Sequence, residues 1–291
     1  MMSHATTGSE PALASRSPQM ANQEYLLGTG TDEVTRLALQ HRLWSDASVQ
    51  AWRRAKLSVG QRVLDVGCGP CSAAMDMAEI VTQSGYVLGI DESQSFIDHA
   101  NGLAAAHGTS QLEAQVGDVQ DLESAVEGKE SFDFAYARWV LCFVRDPDAV
   151  VRGIANALAK GGRLLVQDYF NFGAMTLAPR RPSHDIAVKA TMQSWLELGG
   201  DPDIGARLPA MFHKHGLRLD DVRAHARVAR GSDPMFAWPN TWWRTFAPKL
   251  VATGHLKQSD CNALIDDMQR IENGEGFIQC PLVYEFLATK I

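Results

Sequence analysis

The 291-residue sequence is short of several things, and each shortage removes a class of protein. No run of about 18 apolar residues occurs, so no segment reads as a membrane-spanning helix. No basic run exceeds the pairs Arg53-Arg54 and Arg180-Arg181, and the formal charge is −7, so the electrostatic footprint of a protein for long nucleic acids is missing. Cysteines number five, at 68, 71, 142, 261 and 280; an odd and sparse set is no disulfide framework and fits a reducing compartment. Residues 1–23 are small, polar and Pro-containing and lack the apolar stretch of a secretory signal, so they read as a disordered leader. Nine histidines are scattered, and only His213-Lys214-His215 is close, at a spacing that points the rings apart on a helix. No metal site is expected. What remains is a cytoplasmic protein for a small-molecule substrate, with no nucleic-acid or membrane partner.

With 45% hydrophobic residues the chain can bury a sizeable core. Apolar residues at helical spacing mark helices over 31–45 and 47–57, an N-terminal arm spanning 24–57. A strict alternation follows. Strands are expected at 62–66, 86–90, 112–116, 132–137 and 163–168, with helices at 71–82, 93–107, 122–126 and 148–159 between them. Repeated strand–helix units specify an α/β fold, a doubly wound and mostly parallel sheet covered on both faces. The core then runs over 58–169. Residues 170–275 add elements with two inserts, 170–200 and 228–273, which read as a helical lid with helices at 183–198 and 259–271, and 276–291 supply a closing strand. Trp238, Trp242 and Trp243 cluster in the second insert, an aromatic set suited to the core of a lid or to a substrate wall.

Ligands of such sheets bind beyond the carboxyl ends of the strands. The first strand ends in Asp65-Val66-Gly67-Cys68-Gly69, where two glycines permit torsions and a close ligand approach that side chains would block. Asp91 follows Gly67 by 24 residues, the spacing that sets a carboxylate on two ribose hydroxyls. The third strand ends in Gly117-Asp118-Val119, a second carboxylate at the same rim. Three strand ends thus converge on an adenosine. Cys68-Gly69-Pro70-Cys71 is also a C-x-x-C dithiol, but residues 71–146 contain no proline of the kind that flanks thioredoxin-like sites. The backbone of the loop, Cys68 included, is therefore read as the working part. An adenosine site serves a nicotinamide dinucleotide or S-adenosyl-L-methionine; the dinucleotide fingerprint wants a third glycine where Ser72 stands.

In order, "VLDVGCGP", "VLGIDES", "AQVGDVQDL", "FDFAYARWVLCFVRDP" and "GGRLLVQDY" resemble the class I S-adenosylmethionine-dependent methyltransferases, particularly the ubiquinone/menaquinone-biosynthesis type acting on small molecules. The resemblance covers about 57–169, with "FIQCPLVYEFLAT" completing the family's terminal hairpin. It implies a Rossmann-like seven-stranded sheet with one antiparallel closing strand, S-adenosyl-L-methionine as cofactor, and methyl transfer to a small acceptor by direct displacement. By position it implies Gly67 and Gly69 along the methionine moiety, Asp65 orienting the loop and the cofactor amino group, and Asp91 on the ribose. Asp118 and Val119 fall to the adenine, Glu92 to the adenine face and Arg138 to the sulfonium. Tyr25 belongs to an arm folding over the cofactor. Asp168 is the candidate base, with Tyr169, His184 and Tyr25 behind it, and Tyr169, Trp238 and Trp242 are candidates to contact the acceptor. Cys71 and Phe143 depart from the family's usual glycine and histidine. An adenosyl-binding protein without turnover is the other reading of the same residues.

Overall fold

The computed structural model describes residues 30–291. The first element is one continuous helix, α1 (Thr31–Arg54), where two were expected. Trp44, Ala47, Ser48, Ala51, Trp52 and Ala55 form one unbroken buried stripe at helical spacing, while Asp46 faces out and pairs with Arg227 at 2.9 Å, so nothing interrupts the helix there.

The alternating core follows: β1 (Arg62–Val66), α2 (Ser72–Val81), β2 (Tyr86–Asp91), α3 (Gln94–His107), β3 (Leu112–Val116), the short α4 (Leu122–Ala125), β4 (Phe132–Arg138), α5 (Pro147–Ala157) and β5 (Leu158–Tyr169). Ser93 caps α3, its hydroxyl accepting from the Phe96 N–H, and Asp146 caps α5 through the Ala149 N–H. The strand β5 begins five residues earlier than the apolar pattern implied. Its Gly161-Gly162 turn is absorbed by a register shift against β4 between Phe132 and Phe134.

The remaining elements are β6 (Thr176–Ala178), α6 (Pro182–Glu197), α7 (Leu208–Lys214), β7 (Leu217–His225), β8 (Val228–Arg230), α8 (Ala237–Ala252), α9 (Gln258–Glu272), β9 (Phe277–Gln279) and β10 (Val283–Lys290). The main sheet has the order β3-β2-β1-β4-β5-β10-β7. Only β10 runs against its neighbours, antiparallel to both β5 and β7. Phe134 and Tyr136 of β4 feed the core on one face of the sheet and Ala135 and Ala137 that on the other.

The C-terminal segment is not one strand. Phe277–Gln279 pairs with β6 and β8 in a small antiparallel sheet, order β6-β9-β8, which the sequence did not announce. Pro281, which has no N–H to give to a ladder, stands between β9 and β10 and separates their partners. The helices α6, α8 and α9 pack together as a cap over the carboxyl ends of the sheet, with α1 against α8.

Candidate functional site

The strand order reverses between β1 and β4, with β2 and β3 on one side and β5 on the other. A crevice opens at such a point because the loops leaving the two central strands turn apart. A cavity of about 340 Å³ lies there, lined by residues that follow β1, β2, β3, β4 and β5 and roofed by α1, α6 and α8. It brings together Asp65, Gly67, Cys68, Gly69, Asp91, Glu92, Asp118, Val119, Arg138, Tyr169 and Trp242.

The loop from β1 to α2 runs through three left-handed residues, Gly67, Gly69 and Cys71. The two glycines serve different ends. A Cβ on Gly67 would lie 2.5 Å from a methyl of Val140, so this position lets β4's loop press against the first loop. A Cβ on Gly69 would meet nothing nearer than Leu37 Cδ1 at 3.9 Å and would stand in the cavity, a space left for a ligand. The Gly69 N–H donates to Asp91 Oδ2 at 2.8 Å, and Ser93 N–H donates to Asp91 Oδ1 at 3.0 Å. Asp91 thereby ties the first loop to the second strand and keeps lone pairs for further donors. Both thiols of the dithiol turn the other way: a Cβ on Gly89 would lie 2.9 Å from the Cys68 sulfur and 3.0 Å from the Cys71 sulfur. Burial pushes the Cys68 thiol well above its usual range, which removes its nucleophilic form.

Asp65 sits at the foot of the cavity, 3% exposed. Its Oδ2 is buried with no hydrogen-bond partner. Burial raises its pKa to about 7, against the opposing field of the Arg138 guanidinium and with a further push from Asp91. Arg138 itself donates to Ser48 Oγ at 3.0 Å and His41 Nδ1 at 3.0 Å, both uncharged acceptors. A carboxylate lacking donors and a guanidinium lacking an anion thus line one cavity. Asp118 and Glu92 are exposed at its rim, Asp118 accepting from the Gln120 N–H at 2.8 Å.

The other half of the cavity is aromatic. Trp139 and Tyr169 stack with centroids 6.2 Å apart, Tyr169 and Trp195 are 5.9 Å apart, and Trp195 and Trp242 are 5.9 Å apart edge-on. Phe143 closes on Trp195 at 4.7 Å. Trp139 is left-handed, φ 53°, directly after β4, a conformation costing about 1–2 kcal/mol for a residue with a Cβ. No carboxylate lines this half among the described residues; the four in the cavity stand at or just past the carboxyl ends of β1, β2 and β3.

Three expected residues fall elsewhere. Asp168, the candidate base, does not line the cavity. It is fully buried behind the wall, its Oδ2 accepting from Cys142 N–H at 3.2 Å and its Oδ1 from Tyr169 N–H at 2.8 Å, and burial lifts its pKa to about 6. It fixes the turn after β4. Trp238 is 5% exposed and backs the wall from outside: it packs on Trp44 and Trp139 at 5.0 and 5.7 Å and donates its indole N–H to Gln40 at 3.1 Å. His184 lies inside the cap against Trp243, with neither ring nitrogen partnered and its pKa lowered by burial to about 4. Tyr25 lies outside the described residues. The residues that sequence reading missed are Arg36, Gln40 and His41 on α1 and the rings Trp139 and Trp195. Trp139 was within reach, as the residue just past the fourth strand; nothing in the helical pattern of 31–45 or of 183–198 tells which turn faces a ligand.

Residues 57–207 match the family described as a methyltransferase domain. Phosphoethanolamine N-methyltransferase 3 of Arabidopsis thaliana is 33% identical over 178 residues, 60% of this chain and 29% of that protein. A 2-phytyl-1,4-naphtoquinone methyltransferase of Synechococcus elongatus is 35% identical over 132 residues, 44% of this chain and 53% of that one. The chain therefore spans about a third to a half of the length of these curated relatives. Among solved structures it is similar to the [4+2]-cyclase SpnF, with a TM-score of 0.52 and 20% identity over 84% of this chain and 80% of that chain. The last likeness carries the fold alone, and a cyclase on this fold means that the fold does not choose the reaction.

Proposed function

From the premise that the chain belongs to the methyltransferase-domain family, we propose that the cavity holds S-adenosyl-L-methionine in its polar half and a small acceptor in its aromatic half, and that the protein transfers the methyl group between them. The observation that carries this reading is the pair at the foot of the cavity. Asp65 has a buried oxygen without a donor, and Arg138 has a guanidinium without an anion, so together they are complementary to the ammonium and carboxylate of an α-amino acid. A nicotinamide dinucleotide offers no such zwitterion. Gly69 leaves room for the chain that follows the amino acid, Asp91 retains lone pairs for ribose hydroxyls, and Glu92, Asp118 and Val119 edge the space for the adenine.

When bound, the cofactor supplies an electrophilic methyl group on a sulfonium. The work of the protein is then alignment and exclusion of water, terms worth several kcal/mol in such displacements. Trp139, Tyr169, Trp195 and Trp242 give the acceptor an apolar slot whose walls are fixed by one another. Both nitrogens of His41 are engaged and Asp168 is walled off, so an acceptor that arrives already nucleophilic suits the site best. A small apolar, ring-bearing acceptor fits these walls. The test is to incubate the protein with methyl-labelled cofactor and a panel of small hydroxylated, amine and carbon acids, following labelled product and S-adenosylhomocysteine by mass. Labelled product sustains the reading. Tight cofactor binding with no product across the panel would favour an adenosyl-binding protein without turnover.

A further inference from the structure

The guanidinium at the foot of the cavity is held by a chain of hydrogen bonds that crosses three elements. Arg138 on β4 donates to His41 Nδ1 at 3.0 Å, and His41 Nε2 lies 3.0 Å from Asp76 Oδ2 on α2. A guanidinium can only donate, so Nδ1 is the acceptor and carries no proton. The ring proton is then on Nε2 and is donated to Asp76. One arrangement satisfies all three groups, and it fixes both the tautomer of His41 and the orientation of its ring.

The other groups around Arg138 leave it no competing anion. Its second terminal nitrogen donates to Ser48 Oγ at 3.0 Å, and its plane lies over the rings of Trp139 and Tyr136, 5.1 and 5.9 Å from their centroids. Among the described residues no carboxylate oxygen comes within ion-pair distance of it; Asp65 acts on it only through its field. Asp76 is 41% exposed on the far side of His41, so its charge reaches the guanidinium only through the ring.

We propose that His41 and Asp76 are positioning residues for the cofactor: they set the proton of the imidazole so that its bare nitrogen holds Arg138 with its remaining donors toward the cavity, where they take the carboxylate of the amino-acid end. This rests on the proposed cofactor site. It adds that α1, outside the strand-end loops, helps determine the affinity for one end of the ligand only.

Calorimetric titration with two ligands separates this from a general packing role. S-adenosylhomocysteine carries the amino-acid end, and 5′-methylthioadenosine has the same adenosine and thioether without it. For His41→Ala the affinity for S-adenosylhomocysteine should fall by about 10-fold or more, the scale of a lost hydrogen bond to a charged group, while that for 5′-methylthioadenosine stays within about twofold. For His41→Asn, whose side-chain oxygen stands close to the place of Nδ1, most of the loss should be recovered. For Asp76→Ala, which frees the ring to take either tautomer, an intermediate loss of about 3-fold is expected, again for the first ligand only. Equal losses for both ligands, or no loss for either, would overturn the inference. Failure of the wild-type protein to bind S-adenosylhomocysteine at all would instead overturn the cofactor assignment, and this inference with it.

Discussion

Moving the pH from 8 to 6 should weaken the binding of S-adenosylhomocysteine about 10-fold, and the cause is Asp65. Burial holds its pKa at about 7 in the absence of a bound ammonium. About nine in ten molecules therefore carry the carboxylate at pH 8 and about one in ten at pH 6. Only the ionised form attracts an ammonium, so the apparent dissociation constant scales with the inverse of that fraction, a penalty of about 1.4 kcal/mol across the interval. Binding at pH 6 must also expel the proton: close to one should be released per ligand at pH 6 and about a tenth of one at pH 8. Calorimetry in two buffers of different ionisation enthalpy reads both quantities at once. Asp65→Asn should bind weakly at both values and show no pH slope. A flat affinity in the wild type between pH 6 and 8, with no proton release, would refute the assignment of Asp65 to the ammonium.

Because the folded state holds this proton more tightly than the unfolded chain, its cost to stability is absent below about pH 4, grows as pH rises to 7 and stays constant above; Asp65→Asn should therefore raise the melting temperature of the unliganded protein at pH 8, the gain reaching up to about 4 kcal/mol. Gly67→Ala meets Val140 as well as an unfavourable φ and should lose roughly 2–4 kcal/mol of stability by denaturant titration, whereas Gly69→Ala should lose about 1 kcal/mol yet bind the nucleoside at least several-fold more weakly. Asp168→Asn should lower the melting temperature, about 1–3 kcal/mol for one orphaned buried N–H, while the pH profile of methyl transfer keeps its shape; loss of an acid limb, the rise in rate through about pH 6, would restore Asp168 as the base. Cys68→Ser with Cys71→Ser should keep cofactor binding within about threefold, and dithiothreitol should change neither protein, since the loop works through its backbone; a wild-type activity that requires reductant would speak for the thiols.

The central sheet was legible because its signals are local. The first three strands are short runs closed by Gly or Asp, and the strand-end rule then gathers Asp65, Gly67, Gly69, Asp91 and Asp118 without knowledge of distant contacts. The break expected between 45 and 47 is absent because the buried stripe of Trp44, Ser48 and Trp52 carries the helix through. The small sheet of β6, β8 and β9 has strands of three residues each, too short to show a period, and it exists only through pairings about a hundred positions apart for β6 with β9 and about fifty for β8 with β9. The aromatic wall was half legible. Trp238 and Trp242 are four apart on α8 and looked equivalent, yet the tertiary packing turns one onto Trp44 and leaves the other on the cavity. Asp168 stands near the end of a strand as Asp91 does, but the turn after β4 folds across it and takes one oxygen through Cys142 N–H, and the Tyr169 N–H takes the other.

A crystal structure with S-adenosylhomocysteine bound is the most direct test of the account. The ligand should lie across the ends of β1 and β4, its ammonium within hydrogen-bond distance of Asp65 Oδ2 and its carboxylate on Arg138, with the sulfur facing the slot formed by Trp139, Tyr169, Trp195 and Trp242. An amino-acid end found away from both Asp65 and Arg138, or a sulfur turned away from the aromatic half, would contradict it.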